Sequence, residues 1–217
     1  MSTVGTIQGD LNVTGTVNQG TMTIPNSVVG QLPQANLTQR DLQAIDIPLQ
    51  SLITDEATPV PLAAAAAGKL GLVRGTVGTD TFRARTVDCK SNGVVASYTA
   101  LASFILPDNY VSGETVQLAL LCKMDTTIAD ASATVDVECW KEVGDGTVGS
   151  DLCETLAQSI NSLTAALKYF VITPSGLVAG NKFYVRFTIS VRDNAHTGTD
   201  YVFGSICKIN LLTDVKG

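Results

Sequence analysis

The eleven residues KFYVRFTISVR at 182–192 alternate without a break. Phe183, Val185, Phe187, Ile189 and Val191 fall on one parity, and Tyr184, Arg186, Thr188, Ser190 and Arg192 on the other. A period of two is the pleat of a β-strand with one dry and one wet face; a helix would scatter the same residues around its circumference. Similar alternation recurs at 82–88, 95–106, 115–124, 133–142, 166–173 and 201–212. Between these runs lie the turn-rich pieces PDNYVSGE, VGDGTVGSD, TPSGLVAGN and RDNAHTGTD. Seven or eight antiparallel strands in about 135 residues, with no long helix between them, predict an all-β domain of the sandwich type. In ATVDVECWKE the same rule turns Val135, Val137 and Cys139 inward and Asp136, Glu138 and Trp140 outward. Trp140 is then either a contact residue for a partner or a ring tucked under a loop.

The front of the chain reads differently. The first aromatic residue is Phe82, so residues 1–81 lack the side chains that dominate core burial. Val4, Ile7, Leu11, Val13, Val17, Met22 and Ile24 are separated mainly by Gly, Thr and polar residues, a pattern that buries its thin apolar face only against another surface. Prolines at 25, 33, 48, 59 and 61 break any long helix, although NLTQRDLQAI places Leu37, Leu42 and Ile45 near helical spacing after a possible Asn36 cap. The run AAAAAGKLGLV at 63–73 fits either a helical turn closed by Gly68 or packed extended chain. The expected organisation is an extended, mostly irregular arm over 1–62 with one short helix, a linker over 63–81 and the sandwich over 82–217.

Charged residues make up 16% of the 217, below the roughly 25% of an average soluble domain, which points to surface covered by other chains. A net charge of −6 and the absence of any Lys/Arg cluster in the sequence argue against a nucleic-acid partner. The start MSTVGTIQGD has no secretory character, and no stretch approaches the run of about 18 apolar residues that a membrane helix needs. The expectation is a soluble product made in the cytoplasm, with no membrane partner.

Candidate chemistry is sparse. The five cysteines, Cys89, Cys122, Cys139, Cys153 and Cys207, contain no CxxC pair and have only His196 to help, so they read as reduced packing thiols and not as a zinc site. His196 lies in a turn and no GxSxG elbow accompanies it. Asp136 and Glu138 project from one strand face as a glycosidase pair would, yet solvation of that face is the simpler reading. Asp125, Asp130, Asp145 and Asp151 lie in or beside loops without the DxDxDG spacing of a calcium loop. The glycine runs match no phosphate-binding motif, and the sequons at Asn12 and Asn36 are expected bare. No enzyme activity, cofactor or metal is expected.

GDLNVTGTV at 9–17 resembles the glycine- and threonine-rich segments at the start of tailed-bacteriophage structural proteins. The block from 82 to 217, with FILPDNYVSGETVQLAL, SATVDVECW, VGSDLCETLAQSIN, FVITPSGLVAGNKFYVRFTISVRD and LLTDVKG, is similar to β-sandwich domains of phage virion proteins. The resemblance implies a jelly-roll with an extended N-terminal arm, acting as a homotrimeric capsid cement or decoration protein at the virion surface. Its partners would be the major capsid protein and itself, and it would carry no catalytic residues. The most regularly placed apolar groups of the arm, Leu11, Val13, Val17, Ile24 and Leu37, are the candidate anchors. A tail fibre or spike whose sandwich recognises a host glycan is the alternative.

Overall fold

The computed structural model describes residues 40–54, 68–74, 81–87, 93–125, 132–193 and 202–216. These residues form eleven strands: β1 (Arg40–Asp46), β2 (Gly71–Arg74), β3 (Phe82–Arg85), β4 (Ala96–Ile105), β5 (Val116–Met124), β6 (Ser132–Glu142), β7 (Val148–Asp151), β8 (Gln158–Ser159), β9 (Ala166–Ile172), β10 (Lys182–Arg192) and β11 (Gly204–Lys216). Among the described residues a single 3-10 turn covers Leu49–Ser51. All pairings between the strands are antiparallel.

Two sheets result. Sheet A runs β2-β3-β11-β5-β9, with β1 on the far half of β11; sheet B runs β4-β10-β6-β7, with β8 also on β6. β7 and β8 together occupy one position beside β6. From β3 onward the chain then fills eight positions and changes sheet at every step except the hairpin from β6 to β7. That order, β3-β11-β5-β9 facing β4-β10-β6-β7, is the jelly-roll. The hairpin closes at Val143, whose N–H donates to the Thr147 carbonyl at 3.1 Å.

The parity of each strand decides what is dry. Phe183, Val185, Phe187, Ile189 and Val191 of β10 are fully buried, as their alternation predicts, and Val135, Val137 and Cys139 of β6 join them. Phe104 and Phe183 are register partners on β4 and β10 and stack with centroids 5.0 Å apart, while Phe170 and Leu118 supply sheet A's side of the core. Each such side chain contributes on the order of 1.5–3 kcal/mol by leaving water.

The expected helix around Leu37–Ile45 is not what forms from Arg40 onward; β1 is a strand paired along β11, Ala44 facing Leu212 and Ile45 facing Leu211. The sandwich also begins well before residue 82. Ile47, Leu49, Leu52, Leu70 and Leu72 are all buried in the same core as the aromatic residues. Ile53 and Leu101 exchange backbone hydrogen bonds at 2.9 and 2.8 Å in an antiparallel bridge, and Lys69 bridges Thr99 in parallel, the Thr99 N–H donating to the Gly68 carbonyl and the Leu70 N–H to the Thr99 carbonyl, each at 2.9 Å. These segments cover the free edge of β4, where an open strand would otherwise offer unpaired N–H and C=O groups to another chain. Aliphatic side chains therefore do here what the absence of aromatic ones had seemed to preclude.

Candidate functional site

Several residues singled out in the sequence lie outside the described residues: the anchors Leu11, Val13, Val17, Ile24 and Leu37, together with Asn12, Asn36, Cys89, Asp130 and His196. Those that are described sort onto the two outer faces of the sandwich.

The outer face of sheet B is polar and aromatic. Register places Tyr184 between Ser103 and Trp140, Arg186 between Leu101 and Glu138, and Thr188 between Thr99 and Asp136. Arg186 donates from both Nε and Nη2 to one Glu138 oxygen, and its guanidinium lies 5.4 Å from the Trp140 ring centre. Lys182 repeats the arrangement one step along, 3.2 Å from Glu142 and 5.0 Å from the centre of the Tyr184 ring. A cation over a ring face is held by the ring's quadrupole. Trp140 is half-buried among these neighbours. The pairing of Glu138 with Arg186 also means that Asp136 and Glu138 do not face solvent as two equivalent carboxylates. Burial raises the Asp136 pKa above its ordinary value, a Val137 N–H donated to Oδ1 at 3.0 Å works the other way, and Glu138 and Asp151 add to the rise.

The loop carboxylates have structural duties. Asp145 Oδ1 accepts both the Thr147 hydroxyl and the Thr147 N–H, which lowers its pKa and closes the β6–β7 turn. Asp151 Oδ1 accepts the N–H groups of Cys139 and Cys153, each at 2.9 Å. Among the described residues no group of three His, Cys, Asp or Glu side chains could hold a metal ion. Cys122 and Cys139 are buried thiols whose pKa values burial pushes far up, and burial holds the half-buried Cys153 at about 11. Cys207 is shifted upward by the same cause.

The outer face of sheet A is mostly apolar. One row across the strands reads Ala44, Leu212, Gln117 and Val171; the next reads Asp46, Asn210, Ala119 and Tyr169; a third reads Lys208, Leu121 and Leu167. Leu42, Leu167, Tyr169 and Val171 are 61, 48, 43 and 39% exposed. Leu156, 86% exposed, sits in the segment that runs along the β9 edge through Glu154 N–H to Val171 O. Single exposed apolar residues are ordinary, whereas here several share one sheet face. Sequence alternation missed this face because β5 reads apolar on both parities, VQLALLCKM, and only the register shows which of its residues look outward.

No family model and no curated protein matches the chain. Among solved structures it is similar to the xylan-binding module CBM15, with a TM-score of 0.44 and 10% identity over 82% of this chain and 100% of that one. It is also similar to a family 16 carbohydrate-binding module, with a TM-score of 0.34 and 15% identity over 67% of this chain and 86% of that one. A structure of the infectious bursal disease virus Gt strain gives 0.35 and 11% over 79% of this chain and 38% of that chain. Among the described residues no helix is long and apolar enough to cross a membrane.

Proposed function

We propose that this chain is a structural protein of a virion, a decoration protein that binds the capsid lattice and reinforces the head. The observation that carries this reading is the apolar outer face of sheet A, which a chain acting alone has no reason to leave in water. The aromatic-free leader and the low charge support it, as both fit a protein whose surface is shared with neighbours. In this reading the major capsid protein is the partner, residues 1–39 add contact area and copies associate as trimers. No step of catalysis is involved, and nucleic acid and membrane play no part. Cryo-electron microscopy of virions containing the protein tests it: density at lattice positions on the head is expected, and density confined to the tail overturns it.

One observation favours a second reading, a fibre or spike that recognises a glycan. Trp140 and Tyr184 lie side by side on the outer face of sheet B with Arg186, Lys182, Glu138 and Glu142 around them. Beside them lies a cleft of about 400 Å³ lined in part by Glu142, Ser150, Ser175 and Leu177. A flat aromatic surface ringed by hydrogen-bonding groups suits a sugar ring. Glycan-array binding that is lost in Trp140→Ala, with the protein located at the tail, would establish this reading in place of the first.

A further inference from the structure

We infer that the cationic cluster at one end of sheet A binds a tetrahedral oxyanion of the phosphate or sulfate class. The cluster lies at one end of the outer face of sheet A, on the same parity of β5 as Leu121, and the inference does not depend on either reading of function. Arg85 and Lys123 flank Ser205 in register across β3, β11 and β5, and Arg83 is on the same face two residues before Arg85. All three cations converge on Asp125: Arg83 Nε lies 3.5 Å from Oδ2, Arg85 Nη1 3.7 Å from Oδ2 and Lys123 Nζ 3.5 Å from Oδ1.

Two features separate this cluster from an ordinary structural salt bridge. The first is its charge: among the described residues, three cations and one carboxylate leave +2 (3 − 1), in a chain whose net charge is −6. Yet the cationic side chains are only 18, 23 and 24% exposed. Charge withdrawn from water in this way calls for a counter-charge. The second is the hydrogen bonding. Charge-assisted N–H···O bonds close to about 2.7–2.9 Å, and none of the three contacts does. Arg83 Nε, Arg85 Nε and the hydroxyl of the fully buried Ser205 have no hydrogen-bond partner among the described residues.

The donors are also fixed in place. The Arg85 guanidinium lies over the Phe203 ring at 4.2 Å, and the Asp125 N–H donates to the Phe203 carbonyl at 2.9 Å, tying ring, carboxylate and cations together. Two guanidinium groups and an ammonium on one patch, with the buried Ser205 hydroxyl between their strands, match the several acceptor oxygens of a phosphate or sulfate, and Asp125 gathers the cations without neutralising them.

The test is calorimetric titration of the full chain with inorganic phosphate, and separately with sulfate, in chloride buffer of matched ionic strength. Saturable one-site binding is expected, weakened about tenfold by Arg85→Gln and by Lys123→Gln. Asp125→Asn is expected to tighten it, since a like charge leaves the site. Circular dichroism and thermal denaturation confirm that each variant is folded. Should Arg85→Gln fail to fold, Lys123→Gln and Asp125→Asn decide the matter. Parallel titration with glucose 6-phosphate identifies the source: an ester bound as tightly or more tightly assigns the site to esters, and a weaker one to the free ion. Absence of saturable binding at about 10 mM anion, or affinity unchanged in the folded Lys123 and Asp125 variants, overturns the inference.

Discussion

Leu52→Ala tests whether the segment before residue 55 belongs to the sandwich core. Leu52 is 1% exposed, its N–H donates to the Leu49 carbonyl at 3.2 Å, and the next residue is fastened to β4 by two hydrogen bonds with Leu101. The backbone there has little freedom to collapse into the space that a truncated side chain leaves. Replacing a fully buried leucine by alanine in such a setting costs about 2–5 kcal/mol, the lost transfer energy plus the residual cavity. In a chain of this size that corresponds to a fall in Tm of about 4–20 °C. Leu42→Ala is the control: Leu42 is 61% exposed on β1, so its truncation should change monomer stability by less than about 0.5 kcal/mol. Urea unfolding of the purified chain, followed by tryptophan fluorescence and by circular dichroism, reads both. If Leu52→Ala costs less than about 1 kcal/mol, residues 40–54 do not help hold the core and the reasoning fails.

Other consequences can be measured on the same preparation. A Cβ on Gly204 would lie 2.7 Å from Ile189 Cγ2 and 3.3 Å from both Ile160 Cδ1 and Val191 Cγ2, so Gly204→Ala should lose about 1–3 kcal/mol in urea unfolding. Burial raises the Asp136 pKa in the folded state, so the folded chain holds that proton more tightly than the unfolded one. The group thus costs stability above the unfolded pKa and none below it. Asp136→Asn, which keeps a carbonyl oxygen for the Val137 N–H, should be at least as stable as the parent at pH 7. Its advantage should shrink as pH falls through the raised folded-state pKa and be essentially gone below about 4 in a series of urea melts. Brief iodoacetamide labelling with mass-spectrometric mapping should modify Cys153 before the fully buried Cys122 and Cys139, which react only as fast as the chain unfolds.

Much of the jelly-roll was legible because its long strands obey one parity rule. The alternating runs foretell β10 residue for residue and β4, β5, β6 and β9 to within about two residues. β1 was misread for a geometric reason. Leu42 and Ile45 are three apart, which places them on one face of a helix but on opposite faces of a strand. In β1, Leu42 looks outward while Ile45 leans on the core. β7 and β8 are too short for periodicity to register, and β7 is exposed along its whole length, so no apolar signal marks it. Of the candidate sites, the outward face of Trp140 followed from alternation, but its partner Arg186 comes from a strand 46 positions away and needed the β6–β10 register. The cluster at Asp125 was hidden for the same reason: its cations come from β3 and β5, and only pairing on either side of Ser205 joins them.

The position of β11 constrains how such a chain is born. It is the last of the eleven strands to be translated, yet it pairs with β1, β3 and β5. Until those thirteen residues clear the ribosome, sheet A has a gap down its middle, and the nascent chain must wait with apolar strands unclosed. Synthesis rate and chaperone supply, and not the final energy of the folded state alone, then govern how much protein a cell recovers.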